Sequence, residues 1–62
     1  MFRARIVTGG AAFHSEEKEM DNYERNAEVA RILRDVADRI ESGEEYGTCM
    51  DINGNAVGDW KL

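Results

Sequence analysis

The middle of the chain constrains the fold most, because it contains one long amphipathic run. Apolar residues recur there at spacings of three and four, at Val29, Leu33, Val36 and Ile40, joined by Ala30, Ile32 and Ala37. This periodicity is typical of a helix with one buried face. Ser42-Gly43 follows the run, and a glycine at that place supplies a left-handed C-terminal cap. We therefore predict a helix over about residues 22–42, entered through a capping box at Asp21-Asn22-Tyr23-Glu24.

The segments on either side of the helix have the pattern of strands. Phe2, Ala4 and Ile6 alternate with Arg3, Arg5 and Val7, which is a period of two residues. Further on, Asn53-Gly54 is a strong signal for a hairpin turn between two more strands, Tyr46 to Asp51 and Asn55 to Leu62. The predicted fold is α+β: a single domain over residues 1–62, in the order β-α-β-β, with one amphipathic helix on a three-stranded antiparallel sheet.

The hairpin register is left open by the sequence. A two-residue loop at Asn53-Gly54 pairs Met50 with Val57, whereas a three-residue loop with a glycine bulge pairs Cys49 with Val57. A shift of one residue sends opposite side chains to the core. The burial of Trp60 therefore depends on which loop forms.

Length and cysteine content exclude several classes of protein. A chain of 62 residues buries a thin core and has no room for a deep cleft. The single cysteine, Cys49, forms no internal disulfide, which favours a reducing compartment. Only Ile6 and Val7 stand between Arg5 and Thr8, far fewer apolar residues than a signal peptide or a membrane span needs. We expect a cytoplasmic protein that contacts no membrane.

Residues able to carry catalysis or bind metal are sparse. His14 and Cys49 are the only members of their types and stand far apart in the sequence, so neither a nucleophile pair nor a zinc site is indicated. Asp51, Asn53 and Asn55 match the start of a calcium loop, but Ala56 stands where that loop requires glycine. A polar turn explains these three residues better. We predict no catalytic, cofactor-binding or metal-binding residues, and no enzyme activity.

Charge is the most informative feature for function. Thirteen acids against eight bases give a formal net charge of −5, which opposes direct binding to nucleic acid or anionic lipid and favours a basic partner. The candidate partner-binding acids lie before and along the helix: Glu16, Glu17, Glu19, Asp21, Glu24, Glu28, Asp35 and Asp38. The last four span about 21 Å of helix axis, over which duplex DNA carries on the order of a dozen phosphates. Arg31 interrupts this row, and the alternative is a solvated helix face without a partner.

Two segments carry a resemblance to a known family. Residues 28–40, EVARILRDVADRI, and residues 51–60, DINGNAVGDW, resemble a family of small acidic proteins of tailed bacteriophages and prophages, with an "EVARIL" helix and a closing "D-x-N-G-N-x-V-G-x-W" hairpin. At its most specific the resemblance implies an anti-CRISPR protein, which occupies the DNA-binding surface of a CRISPR effector in the cytoplasm of an infected or lysogenic bacterium. It assigns no role to any single residue.

The sequence thus predicts a phage-encoded inhibitor that acts as an acidic DNA mimic on a host nucleic-acid-binding complex. The alternative is a structural or interaction module. In that alternative the uncovered face of the sheet, with Tyr46, Met50 and Trp60, forms a homodimer or docks on another phage protein by apolar contact.

Overall fold

The computed structural model describes residues 1–9 and 22–62. Strand β1 covers Arg3–Ile6, helix α1 covers Asn22–Glu41, strand β2 covers Tyr46–Met50 and strand β3 covers Ala56–Lys61. The α+β fold and the order β-α-β-β are therefore confirmed, with element ends within one or two residues of the predicted ones.

The three strands form one antiparallel sheet in the order β1-β3-β2. The last strand, β3, lies in the centre, so that β1 and β2 are the two edges. Ala4 pairs with Trp60 on one side of β3, and Gly47 pairs with the same residue on the other side. Because β1 and β2 are both antiparallel to β3, they run parallel to each other, and α1 connects them across the sheet.

The core lies between α1 and one face of the sheet. It consists of Ile32 and Val36 from the helix with Cys49 and Trp60 from β2 and β3, all at most 2% exposed. Four partly buried residues pack around this cluster: Ile6, Val29, Ile40 and Val57. Leu33, which the apolar stripe included, is 44% exposed. The core is as thin as the chain length predicts.

A glycine ends α1 as predicted. Gly43 has a φ of 107°, and its N–H donates to the Ile40 carbonyl at 3.0 Å while the Glu44 N–H donates to the Arg39 carbonyl at 3.0 Å. This pair of bonds is the Schellman arrangement, in which only glycine adopts the left-handed conformation without steric cost. The predicted capping residue at the other end, Asp21, lies outside the described residues.

The hairpin has a three-residue loop and, further along β3, one extra residue that shifts the strand register. The Gly54 N–H donates to the Asp51 carbonyl at 3.0 Å, the Asp51 N–H donates to the Asn55 carbonyl at 2.9 Å, and Gly54 has a φ of 86°. These are the marks of a type I turn with a glycine bulge. Cys49 nevertheless pairs with Gly58, because Val57 is an extra residue between that pair and the pair Met50–Ala56. Trp60 therefore faces the helix.

Candidate interaction surfaces

A buried carboxylate joins the helix to the hairpin. Glu28 is 7% exposed, and its Oε2 accepts the Ile52 N–H at 2.8 Å. The Arg31 guanidinium donates to both carboxylate oxygens, at 2.9 and 3.1 Å, and its Nη2 also donates to the Met50 carbonyl at 2.9 Å. Glu28 and Arg31, one helical turn apart, thus bind the backbone on both sides of Asp51, where the hairpin loop begins. We call Glu28, Arg31 and Asp51 the hairpin lock.

Asp51 completes the lock from within the turn. Its Oδ1 accepts the N–H groups of Asn53 and Asn55 at 2.9 and 2.8 Å, and its Oδ2 accepts the Asn55 side-chain amide at 3.3 Å. The side chain therefore satisfies donors that the turn itself leaves unpaired. The predicted polar turn is confirmed.

Both carboxylates of the lock titrate at lower pH than usual. The hydrogen bonds from Arg31, helped by the Ile52 N–H, lower the pKa of Glu28 despite its burial. The Asn55 N–H, with further bonds from the Asn55 side chain and the Asn53 N–H, lowers the pKa of Asp51. Both carboxylates are charged at neutral pH and accept hydrogen bonds from main-chain N–H groups of the protein itself.

The structure therefore changes the predicted row of partner-binding acids. The prediction that Glu28 lies on a solvated face is wrong, because the hairpin folds over that flank of the helix and takes up its carboxylate. Glu24, Asp35 and Asp38 are exposed as predicted. The remaining four predicted acids, Glu16, Glu17, Glu19 and Asp21, lie outside the described residues.

Exposed carboxylates gather instead around the end of the helix. Five of them follow Arg34 in the chain, and we call them the acidic end: Asp35, Asp38, Glu41, Glu44 and Glu45. The one base among them, Arg39, is occupied, because it pairs with Asp35 at 3.3 Å and donates to the Thr48 carbonyl at 2.9 Å. Asp35 and Arg39 stand four residues apart, in the order that favours an ion pair on a helix. Glu41 was missed, since it does not lie on the same helical stripe as the other predicted acids.

The acidic end is placed unfavourably for the helix. The C-terminal turn carries the negative end of the helix dipole, where acids are destabilising and bases stabilising. Asp38 and Glu41 lie within that turn, and Glu44 and Glu45 follow directly after it. Apart from Asp35, which pairs with Arg39, these acids are unfavourable for the helix, and this is the cost that a role in binding would explain.

The face of the sheet that the helix does not cover, here called the open face, is polar and basic rather than apolar. Trp60 is buried against the helix, so its neighbours on β3, Asp59 and Lys61, point to the open face. The register places Arg3 beside Lys61 and Arg5 beside Asp59 on that face. Tyr46 and Met50 are exposed there, but Trp60 is not. The predicted apolar surface thus loses its largest residue.

Cys49 is buried, and burial raises the pKa of its thiol, which keeps it protonated and unreactive. His14 lies outside the described residues. Between residues 1–9 and 22–62, no group of three or more histidine, cysteine or acidic side chains could hold a metal ion. No described helix is long and apolar enough to cross a membrane.

No family model, no curated protein and no solved structure matches this chain.

Proposed function

We propose that this protein is a binding protein whose acidic end docks on a basic surface of another macromolecule. The observation that carries the proposal is the cluster of exposed carboxylates around the C-terminus of α1, where the helix dipole makes them unfavourable for folding. Carboxylates held on a helix end and the tight turn after it lose little further entropy on docking.

The separation of charge between two faces supports the same proposal. Carboxylates predominate around the end of α1, whereas the open face of the sheet carries Arg3, Arg5 and Lys61 with Asp59 as its acid. Such a molecule approaches a basic partner in one orientation, since the field of its acidic end steers the encounter.

At its most specific, the partner is a nucleic-acid-binding complex of a bacterial host, and the protein inhibits it by imitating the phosphates of DNA. The resemblance to small acidic phage and prophage proteins suggests a CRISPR effector as that complex. Support from the fold is general: Asp35, Asp38 and Glu41 recur about every 4.5 Å of helix axis, close to the roughly 3.4 Å between successive phosphates of one DNA strand.

Competition with DNA tests the proposal. Purified, guide-loaded CRISPR effectors of each type would be mixed with fluorescent target duplex and increasing amounts of the protein. We expect displacement of the DNA by at least one effector type. The inhibition constant should rise steeply between about 50 and 200 mM salt, because the contact is between charges.

A neutralised variant locates the surface. Asp38→Asn, Glu41→Gln, Glu44→Gln and Glu45→Gln together remove four charges without touching the Asp35–Arg39 pair. We expect this variant to compete at least about tenfold less well. Asp59→Asn, which removes one exposed acid from the open face of the sheet, is the control for a site outside the acidic end and should compete normally. Equal competition by the neutralised variant and the wild type would show that the acidic end is not the binding surface.

A further inference from the structure

The two edges of the sheet differ in how their backbone groups are used. The Leu62 N–H donates to the Glu45 carbonyl at 2.9 Å, so alternation along β2 turns the carbonyls of Thr48 and Met50 outward. Both are occupied, by Arg39 Nη1 and Arg31 Nη2, each at 2.9 Å. The helix thereby blocks β2 against the addition of another strand, a common protection of sheet edges.

Strand β1 has no such protection within the described part of the chain. The Val7 N–H donates to the Val57 carbonyl at 2.7 Å, so the N–H and carbonyl groups of Ala4 and Ile6 point away from the sheet. The helix packs most closely on β2, on the far side of the sheet. No side chain of residues 1–9 or 22–62 donates to the outward carbonyls of Ala4 and Ile6 in the way that Arg39 and Arg31 do on β2.

The side chains around β1 are positively charged on the open face. Arg3 stands directly beside Lys61, an arrangement of like charges that destabilises a sheet unless an anion lies between them. Among the described residues, no carboxylate forms an ion pair with Arg3, Arg5 or Lys61. These side chains, with Ala4 and Asp59, line a shallow cleft of about 410 Å³.

We infer that β1 receives an extended acidic peptide of a partner protein as a fourth strand of the sheet. The outward groups of Ala4 and Ile6 provide the main-chain hydrogen bonds. Acidic side chains at alternate positions of the peptide face Arg3 and Arg5, and apolar ones between them lie on the face that carries Phe2 and Ala4. This surface is separate from the acidic end, so the inference stands or falls independently of the proposed function.

A second copy of the chain fits β1 less well than an acidic peptide does. Two β1 strands related by a two-fold axis run antiparallel, and their arginines then meet on the same face of the joined sheet. Like charges across strands oppose pairing, whereas carboxylates on the incoming strand relieve the repulsion between Arg3 and Lys61. Charge complementarity therefore selects an acidic partner.

Titration of the full chain with short peptides, followed through its backbone amide NMR signals, tests the inference. The probe is an eight-residue peptide that alternates Glu with Val, and its comparison is the same peptide with Lys in place of Glu. We expect saturable shifts centred on the amides of Ala4 and Ile6 with the Glu peptide only. Equal binding of both peptides, or shifts centred elsewhere, would overturn the inference.

Two variants separate the backbone from the charges. Ala4→Pro removes an outward N–H, which an edge strand tolerates, and should abolish the shifts while the amide spectrum of the core stays folded. Arg3→Glu with Arg5→Glu should weaken binding by about tenfold or more. Arg34→Glu, on the exposed part of the helix, is the control and should bind normally.

Three further outcomes count against an acidic strand on β1. One is unchanged binding in both the Ala4→Pro protein and the arginine variant. Another is self-association through β1 in the absence of peptide, seen by sedimentation, which would assign the edge to a second copy. The last is preferential binding of a single-stranded oligonucleotide at Ala4 and Ile6, which would replace the peptide by nucleic acid.

Discussion

The carboxylates of the hairpin lock and those of the acidic end have the same chemistry and opposite environments. Glu28 and Asp51 are each 7% exposed and accept main-chain N–H groups. Asp38, Glu41, Glu44 and Glu45 are exposed at the negative end of the helix dipole. The first group stabilises the fold and leaves nothing for a partner to bind. The second opposes the fold and is accessible.

Acidity alone therefore does not identify a binding surface in a small protein. Glu24, Glu28, Asp35 and Asp38 follow one another along a single flank of the helix, yet the hairpin buries Glu28 while Asp35 and Asp38 stay exposed. The environment of each carboxylate decides its role, and the two groups should respond in opposite ways to neutralisation.

Glu28→Ala should produce the largest effect. It leaves the Ile52 N–H and the Arg31 guanidinium without their acceptor, and a lost hydrogen bond to a charged group costs about 2 to 3 kcal/mol. The Arg31 side chain is 43% exposed, so solvent screens its ion pair with Glu28. Most of the lost stability therefore comes from the bond between the Glu28 carboxylate and the Ile52 N–H, which connects the helix to the hairpin. Urea unfolding followed by Trp60 fluorescence measures it.

Glu41→Ala is the matched control for that variant, because it removes a glutamate from the same helix without removing a tertiary contact. Its stability should lie within about 0.5 kcal/mol of the wild type. If both variants lost the same stability, the distinction between the lock and the acidic end would be wrong.

Asp51→Ala should loosen the hairpin more locally than Glu28→Ala does. The N–H groups of Asn53 and Asn55 lose their common acceptor, while the main-chain bonds of the turn remain. We expect faster hydrogen exchange at these two amides, a lower melting temperature and an intact helix. Unchanged exchange at both amides would mean that the turn holds its shape without the side chain. Asp59→Ala, an exposed aspartate of β3, provides the comparison.

Acid should lower the stability of the fold through the two lock carboxylates, because their pKa values are lowered by folding. The folded-state pKa values of Glu28 and Asp51 lie below their ordinary values of 4.5 and 3.8. Their contribution is therefore complete above about pH 5 and is lost as the pH falls through the lowered values. The free energy of unfolding should decline between pH 5 and pH 3. In Glu28→Gln the free energy of unfolding should decline less steeply with falling pH. An equal slope in the variant and the wild type would show that Glu28 does not cause the pH dependence.

Neutralising the acidic end should have the smallest effect on stability, and the opposite sign. The variant with Asp38→Asn, Glu41→Gln, Glu44→Gln and Glu45→Gln relieves repulsion with the helix dipole. It should unfold at slightly higher urea, by about 0.3 to 1 kcal/mol at low salt and less at high salt. Destabilisation of this variant would show that these acids have structural partners and would weaken their assignment to binding.

Local patterns were sufficient to predict the elements. The spacing of apolar residues predicted α1, the alternation from Phe2 to Val7 predicted β1, and Gly43 and Gly54 marked a helix end and a turn because each adopts a positive φ. The side-chain hydrogen bonds of Asp51 were also predictable, since they reach only two and four residues along the chain.

Contacts between distant residues escaped the same reasoning. Glu28 and Ile52 are far apart in the sequence, and no periodicity indicates that the hairpin folds back over the helix flank where Glu28 lies. The extra residue Val57 in β3 is likewise invisible in a pattern of alternation, yet it determines that Cys49 pairs with Gly58. The alternation in β1 already separated Arg3 and Arg5 from the apolar residues, whereas the position of Lys61 beside Arg3 follows from the pairing of β1 with β3.

The helix, the strands, their order and the excess of acid could be read along the chain, because propensity, periodicity, turn chemistry and charge are properties of neighbouring residues. The exposure of each acid, the blocking of one sheet edge and the side on which Trp60 lies follow from tertiary contacts. These depend on how a helix and a hairpin from separate parts of the chain meet, and on the donors that each then offers to the other.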